Sequence, residues 1–166
     1  MSFNGYYMRV DVRAAENVPE GKPLADYSFG ENAWKYLDMM VDLCEKEGIQ
    51  LILIKAPSLY PYWYPQWEEQ VEAYAEEKGL PYINFLDIQE ETGIDYTTDT
   101  YDGGLHMNLS GAEKLSRYMG RYLIEEAGVP DRRGEAELSA RWVEKLAAYE
   151  AEKEYQYDYY GIEKEN

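Results

Sequence analysis

Apolar side chains follow two different spacings in the middle of the chain, and each spacing predicts a different element. Over residues 31–47 they recur every three or four positions, which is typical of an amphipathic helix, and Gly48 provides a stop. Residues 50–55 form a short continuous apolar run, which is typical of a strand buried on both faces in a parallel sheet. A second helix over residues 66–78 and a second strand over residues 81–85 repeat this order. The alternation predicts an α/β fold with a parallel sheet.

The segments before and after this region carry weaker patterns. Residues 7–12 alternate apolar and polar side chains, which predicts a short strand. Residues 17–30 are rich in proline, glycine and charge, which predicts a loop. Residues 86–109 have no strong periodicity and follow the second predicted strand. Long loops at the carboxyl ends of parallel strands are where such sheets bind their ligands, so we expect the functional site in this last segment.

Two helices are predicted in the last third of the chain. The first covers residues 110–127, and Ser110 and Glu113 form a capping box at its start. The second covers residues 136–153 and is amphipathic. The remaining residues, 154–166, are acidic and rich in tyrosine, so we expect a peripheral end.

Composition narrows the classes of ligand that the protein can bind. The 166 residues carry a formal net charge of −17, which disfavours nucleic acid and other anionic partners and favours a neutral ligand. The single cysteine, Cys44, and the single histidine, His106, exclude a disulfide framework and a zinc-type cluster, and no metal or organic cofactor is expected. No apolar run is long enough to span a membrane and the first residues lack a signal pattern, so we expect a soluble chain if Met1 is the true start.

The chemistry that the sequence offers is concentrated around the single histidine. Asp102 precedes His106 by four positions, Gly103 and Gly104 allow the backbone to bend between them, and a predicted helix follows. This arrangement predicts an imidazole base held by an orienting carboxylate. The alternatives are a loop histidine that caps the following helix and an aspartate that serves the Asp-Gly turn.

A second candidate feature is a dense group of aromatic residues broken by prolines. Flat aromatic faces suit sugar rings and acyl chains, so the group predicts a binding platform. The alternative is a loop folded back over the core, and a protein contact is a further possibility. The group consists of Tyr60, Tyr62, Trp63, Tyr64 and Trp67.

Two runs of sequence resemble a known family. LILIKAPSLYPYWY at residues 51–64 and DTYDGGLHMNLSGAEKLS at residues 99–116 are similar to bacterial SGNH/GDSL-like hydrolases. The nearest branch includes envelope acyl-transfer and polysaccharide O-acetylation proteins. The resemblance implies a three-layer α/β/α, flavodoxin-like fold and a serine esterase or acyltransferase mechanism, with Asp102 and His106 as the acid and base. A full-length parent would by analogy belong to the cell envelope.

The chain departs from the family pattern at three places. The family spaces its acid and base as Asp-x-x-His, whereas three residues separate Asp102 from His106, so Asp99 is held in reserve as the orienting acid. The family's serine motif and its oxyanion-hole glycine and asparagine are not recognisable here. Ser58 follows a predicted strand, but Pro57 precedes it and no glycine permits a sharp elbow, so we favour a loop-structuring hydroxyl. The resemblance thus predicts either a C-terminal piece or a divergent member.

These observations lead to an expected domain arrangement. Two or three predicted strands are fewer than the about five of an independent doubly wound sheet, so the sheet is expected to be incomplete. Residues 1–133 are expected to form a partial SGNH-like α/β domain, and residues 134–166 a C-terminal helix and tail. An exposed apolar edge and self-association would follow.

Two functions are compatible with the sequence. The first is an SGNH-like esterase or acyltransferase that acts on a neutral, carbohydrate-linked ester, with its serine supplied by a missing N-terminal half or a partner chain. The second is a catalytically inactive module that binds glycan or protein through the aromatic loop 60–67. The substrate-binding candidates are Tyr60, Tyr62, Trp63 and Asn108, although the Asn108 amide could equally satisfy backbone groups of its loop.

Overall fold

The computed structural model describes residues 7–163, and the chain divides into two compact units. One unit is Asn17–Ile88, and the other combines Met1–Glu16 with Gln89–Asn166. In the described part, no helix is both long and apolar enough to cross a lipid bilayer. The elements in chain order are α1 (Glu31–Glu47), β1 (Leu53–Lys55), α2 (Pro65–Lys78), β2 (Tyr82–Asn84), α3 (Gln89–Thr92), α4 (Leu109–Glu125) and α5 (Ala136–Tyr160).

The unit Asn17–Ile88 contains the two strands, which pair in parallel as predicted. Leu53 lies opposite Tyr82 and Ile54 lies opposite Ile83. The prediction that the first strand is buried on both faces is wrong, because the Ile54 side chain is 55% exposed. Burial of an apolar strand depends on what covers it, and the sheet formed by the described residues has only these two strands. The mixed α/β character is confirmed on this smaller scale.

The helices of this unit follow the predicted pattern closely. Both α1 and α2 end where the sequence predicted, at glycines in the left-handed conformation. The helices contact each other through a stacked pair, Trp34 and Tyr74, with ring centroids 5.1 Å apart. The Tyr74 hydroxyl donates a hydrogen bond of 2.9 Å to the Asp38 carboxylate. Burial and this carboxylate raise the pKa of Tyr74 to about 12, so the hydroxyl remains a donor at neutral pH.

In the other unit, the segment predicted as a strand over residues 7–12 is extended but forms no strand. Its alternation is nevertheless correct, because Met8 and Val10 are buried against Leu109. The backbone N–H of Leu109 donates to the Arg9 carbonyl at 2.6 Å. The segment lacks strand character because its hydrogen-bonding partner is the irregular loop before α4, and one sequence does not show the conformation of a distant partner.

Helix α5 corrects the prediction made for the end of the chain. The helix continues to Tyr160 and ends at Gly161, well beyond the predicted stop near residue 153. Tyr157 and Ile162 pack against the buried cluster of this unit, so the expectation of a peripheral tail is wrong there. The first half of the helix is instead open to solvent, and Trp142 is 56% exposed. Of the predicted amphipathic pattern, Tyr149 packs against the buried cluster, and Tyr157 continues that contact beyond residue 153.

A carboxylate on α4 forms hydrogen bonds to α5, so the stability of the folded state is expected to fall at acid pH. Glu113 accepts hydrogen bonds from the Tyr149 hydroxyl at 2.9 Å and from Lys153 Nζ at 2.7 Å. Burial raises the pKa of Glu113, but these hydrogen bonds outweigh it and hold the pKa below its ordinary value of 4.5. A lowered pKa stabilises the folded state above that ordinary value, and the contribution is lost as the pH falls through the folded pKa.

We therefore expect wild-type protein to lose thermal stability between about pH 5 and about pH 3 more steeply than a Glu113→Gln variant. The measurement is the melting temperature by circular dichroism at each pH. Glu144→Gln is the matched control, because Glu144 is exposed on α5 and forms no hydrogen bond within residues 7–163. A Glu113→Gln variant with the same pH dependence as wild type would contradict this account of the helix contact.

Candidate functional site

The loop that carries His106 is folded around the side chain of Asp102. Asp102 Oδ1 accepts the backbone N–H groups of Leu105 at 3.1 Å and His106 at 2.8 Å. Asp102 Oδ2 lies 2.6 Å from Nδ1 of the His106 ring. One carboxylate therefore holds the turn through Oδ1 and the imidazole through Oδ2, so the two interpretations given for Asp102 are compatible.

The turn itself depends on the two glycines between acid and base. Gly103 and Gly104 have φ angles of 86° and 104°, which side chains with a Cβ rarely adopt. The Gly104 N–H donates to the buried Thr100 hydroxyl at 2.8 Å, and Thr100 and Met107 form an isolated antiparallel bridge. This closed turn spans the three residues between Asp102 and His106 and brings their side chains together.

The His106 ring is accessible, with 60% of its side chain exposed. Tyr101 lies parallel to it, with ring centroids 5.8 Å apart and an interplanar angle of 7°. The guanidinium of Arg9 lies 4.8 Å from the Tyr101 ring centroid and 5.9 Å from the centroids of Tyr7 and Tyr160. Within residues 7–163, Nε2 of His106 forms no hydrogen bond, and the side chain is exposed beside Tyr101.

Electrostatics favour one arrangement of protons in this pair. Burial raises the pKa of Asp102, but hydrogen bonds from the backbone N–H and the ring of His106 outweigh it and hold the pKa below its ordinary value. Asp102 is thus a carboxylate at neutral pH and accepts the proton on Nδ1. In the neutral imidazole, the other nitrogen then carries a lone pair that can accept a proton.

One residue beside the ring and two that lie behind it were not identified from the sequence. Tyr101 neighbours the predicted acid, and its stacking on His106 depends on the turn. Arg9, from the segment before Asn17, contacts Tyr101, and Tyr160, from the last turn of α5, contacts Arg9. Arg9 forms a bidentate pair with Asp11, with Nε 2.6 Å from Oδ1, so its charge is neutralised locally. No sequence pattern links these positions.

Asp99, the reserve candidate for the orienting acid, has a different partner. Its side chain is fully buried and forms an ion pair of 2.6 Å with Lys114 Nζ. The same oxygen accepts the backbone N–H of Asp95 at 2.7 Å. Asp99 Oδ1 is buried without a hydrogen-bond partner in the described part of the chain. The reserve assignment is therefore wrong, and Asp99 instead connects the loop to α4.

Asn108 is a structural residue, and its assignment to substrate binding is wrong. The side chain is 1% exposed, and Nδ2 donates to the Thr98 carbonyl at 2.7 Å. Oδ1 accepts the N–H of Gly111 at 3.2 Å, so Asn108 is the N-cap of α4. The predicted capping box, which began at Ser110, is displaced by two positions. Gly111 allows this close junction, because a Cβ there would lie 2.5 Å from the Asp99 carbonyl oxygen.

The aromatic loop lies in the other unit, where much of it packs against itself. Trp67 contacts Trp63 and Tyr64 at centroid distances of 5.5 and 4.7 Å. Tyr62 remains 41% exposed. Tyr62 and Trp63 line a cavity of about 270 Å³ together with Val18, Pro19, Glu20, Leu59 and Leu86. Two of the predicted residues thus line a small apolar cavity, whereas half-buried Tyr60 lies outside its lining, and the binding platform stays a prediction.

No nucleophile or metal site is found beside the histidine in residues 7–163. The His106 ring makes no hydrogen bond with a serine, threonine or cysteine side chain there. Ser58 lies in the other unit, and its backbone N–H donates to the Ala56 carbonyl at 2.8 Å. The described residues contain no group of three or more histidine, cysteine or acidic side chains that could hold a metal ion. What the described residues provide is an imidazole oriented by a carboxylate.

Resemblance to other proteins adds little to this geometry. The likeness to SGNH/GDSL-like hydrolases depends on the runs at residues 51–64 and 99–116, and it stays a prediction. When the chain is compared with protein-family models, curated proteins and solved structures, no match is found.

Proposed function

We propose that this protein is an SGNH-like esterase or acyltransferase in which His106 acts as the general base and Asp102 orients it. The observation that carries the proposal is the contact of 2.6 Å between Asp102 Oδ2 and His106 Nδ1, with 60% of the His106 side chain exposed to solvent. A base needs a fixed tautomer and an accessible acceptor nitrogen, and this pair supplies both.

The reaction is the attack of a hydroxyl group on an ester carbonyl. Nε2 accepts the hydroxyl proton as the oxygen–carbon bond forms, and the imidazolium then returns the proton to the departing alkoxide as the ester bond breaks. The Asp102 carboxylate stabilises the imidazolium between these steps. In an intact enzyme, the hydroxyl would be a serine outside the described residues, from a further segment or a partner chain. Without that serine, a water molecule is the nucleophile that the base can activate.

Charge and shape around the ring favour a neutral, carbohydrate-linked ester. The net charge of −17 disfavours an anionic substrate, and the nearby guanidinium of Arg9 is already paired with Asp11. Tyr7 is 72% exposed and Tyr160 is 40% exposed near that guanidinium. Tyrosine combines a flat apolar face with a hydroxyl, which suits a sugar ring.

The proposal includes the three-layer α/β/α fold of the family, formed only in part by these residues. The pair β1 and β2 supplies two parallel strands, and the exposed Ile54 on β1 fits a strand that further layers would cover. Other exposed apolar residues of this unit also support missing neighbours: Met39, Met40, Leu43 and Ile49. A missing N-terminal half, a partner chain or a second copy could supply them.

The test is hydrolysis of a chromogenic acetate ester by the purified chain. After subtraction of the background rate, we expect wild-type protein to hydrolyse the ester at least about a hundredfold faster than His106→Ala, because positioned acid–base groups usually contribute this much. The rate of Asp102→Asn should be close to that of His106→Ala, because the proton would then be on Nε2, the nitrogen that must accept the hydroxyl proton. Free imidazole at the protein concentration is the control for an unpositioned ring. Equal rates for wild type and His106→Ala would contradict the enzymatic proposal.

A binding module is the second candidate, and the cavity at Tyr62 and Trp63 favours it. Its apolar lining and exposed tyrosine suit a glycan or protein side chain. The ester assay separates the two functions, because binding through this cavity requires neither Asp102 nor His106. Glycan binding that is lost in Trp63→Ala but unchanged in His106→Ala, without ester turnover, would favour the module.

A further inference from the structure

A second cavity lies on the unit that contains the histidine, along the second half of α4. It has a volume of about 820 Å³ and is formed by α4, the turn after it and the start of α5. At 1.5 Å per residue, Arg121 lies about 18 Å along α4 from Leu109, so the cavity is separate from the Asp102–His106 loop. Pockets that hold small molecules have volumes of this order. We call this cavity the α4–α5 groove.

The floor of the α4–α5 groove is apolar and open to water. Its lining includes Leu123, Ile124, Val129, Leu138 and Trp142. Ile124 is 48% exposed, Val129 is 44% exposed and Trp142 is 56% exposed. Grouped apolar side chains rimmed by polar residues are typical of a binding groove, whereas scattered ones are ordinary on a protein surface.

Arginines are concentrated along the groove, although the net charge of the protein is −17. Four arginines line it together with the carboxylates of Glu125 and Asp131, so what matters is which guanidinium groups are already paired. Arg132 and Arg133 are engaged by Glu135 and Asp131 at 2.6 Å. Arg121 is exposed and forms no ion pair or hydrogen bond within the described residues.

Arg117 lies one turn before Arg121 on the same helix. Its only ion pair in the described part is a 3.8 Å contact with Glu113, and its side chain is 68% exposed. An ion pair this exposed contributes little and exchanges readily for another anion. Two guanidinium groups at positions i and i+4 are therefore available beside an apolar floor.

We propose that the α4–α5 groove binds a single-chain fatty acid, with the alkyl chain on the apolar floor and the carboxylate against Arg121 and Arg117. Charge complementarity selects this occupant. A cationic amphiphile would place its charge beside the unpaired guanidinium of Arg121, and a neutral one would leave that group without a partner. A second copy of the chain brings a further net charge of −17, which opposes its approach.

The test is calorimetric titration of the full chain with laurate below its micelle threshold. Arg121→Gln should weaken laurate binding by about tenfold, which is typical of a lost charged hydrogen bond. Arg141→Gln is the matched control, because Arg141 is exposed on α5 and lies outside the groove lining. Dodecanol, which has no charge, should bind equally to wild type and Arg121→Gln.

A second pair of variants locates the alkyl chain. Ile124→Asp should abolish laurate binding, whereas Val143→Asp, at a 65% exposed position outside the lining, should preserve it. Laurate should also change the tryptophan fluorescence of wild type but leave that of Trp142→Phe nearly unchanged. Binding that survives Ile124→Asp, or equal affinity for dodecyltrimethylammonium, would overturn the proposal. Dimerisation of the wild-type chain that is lost in Ile124→Asp would also overturn the proposal. None of these outcomes bears on the ester reaction.

Discussion

Replacing Asn108 with alanine is expected to lower the free energy of unfolding of α4 and its preceding loop by about 3 kcal/mol. Loss of an N-cap costs about 1 kcal/mol, and loss of the two part-buried hydrogen bonds that Nδ2 donates adds about 2 kcal/mol. The carbonyls of Thr98 and Asp11 accept these bonds at 2.7 and 3.3 Å. The measurement is a urea titration followed through the NMR amide signals of α4.

Ser110→Ala is the matched control, since Ser110 is the cap that the sequence predicted. It lies inside α4 and is not the residue that accepts the N–H of Gly111. Its replacement should change the free energy of unfolding by less than about 0.5 kcal/mol. If Ser110→Ala proved as costly as Asn108→Ala, the assignment of the cap to Asn108 would be refuted.

The second large effect is expected at the ion pair between Asp99 and Lys114. Lys114→Met should lower the free energy of unfolding by about 3 kcal/mol, because it leaves a buried carboxylate without its counter-charge. The Asp99 side chain is fully buried and keeps only the N–H of Asp95 at 2.7 Å. The same NMR-monitored urea titration measures the loss.

Two further variants separate the charge from the packing of the lysine chain. Adding Asp99→Asn to Lys114→Met should restore part of the stability, because the amide still accepts from Asp95 and carries no charge to bury. Arg117→Met, one turn along the same helix, should cost less than about 0.5 kcal/mol, since its ion pair is exposed and long. A double variant less stable than Lys114→Met alone would argue against this electrostatic explanation.

The parts of the fold that sequence predicts well are those fixed by nearby residues. Helices α1 and α2 and their glycine stops depend on side chains within a few positions, and their bounds agree with the predictions. The cap of α4 shows the limit of this reasoning. Asn108 and Ser110 are both good caps by type, and the choice depends on the Thr98 and Asp11 carbonyls, which the fold brings to Asn108.

The candidate site divides in the same way. Asp102 and His106 belong to one five-residue segment, and the two glycines between them were sufficient to predict that their side chains are in contact. Arg9 reaches Tyr101 in this loop from the start of the chain, and Tyr160 reaches Arg9 from the end of α5, so their placement required coordinates. Ile54 was predicted to be buried because apolar strands usually are, but exposure depends on neighbours that a single sequence does not specify.

The central claim, an imidazole held by Asp102 through Nδ1, can be measured on one ring because the chain has a single histidine. At alkaline pH, where imidazole is neutral, ¹⁵N NMR should show a proton on Nδ1 and none on Nε2. In Asp102→Asn, the backbone N–H groups of Leu105 and His106 should still donate to the side-chain oxygen, which leaves the amide NH₂ facing the ring. An NH₂ group donates to an unprotonated Nδ1, so the ring proton should move to Nε2. A wild-type ring protonated on Nε2 would contradict the account, and so would a ring whose proton stays on the same nitrogen in Asp102→Asn.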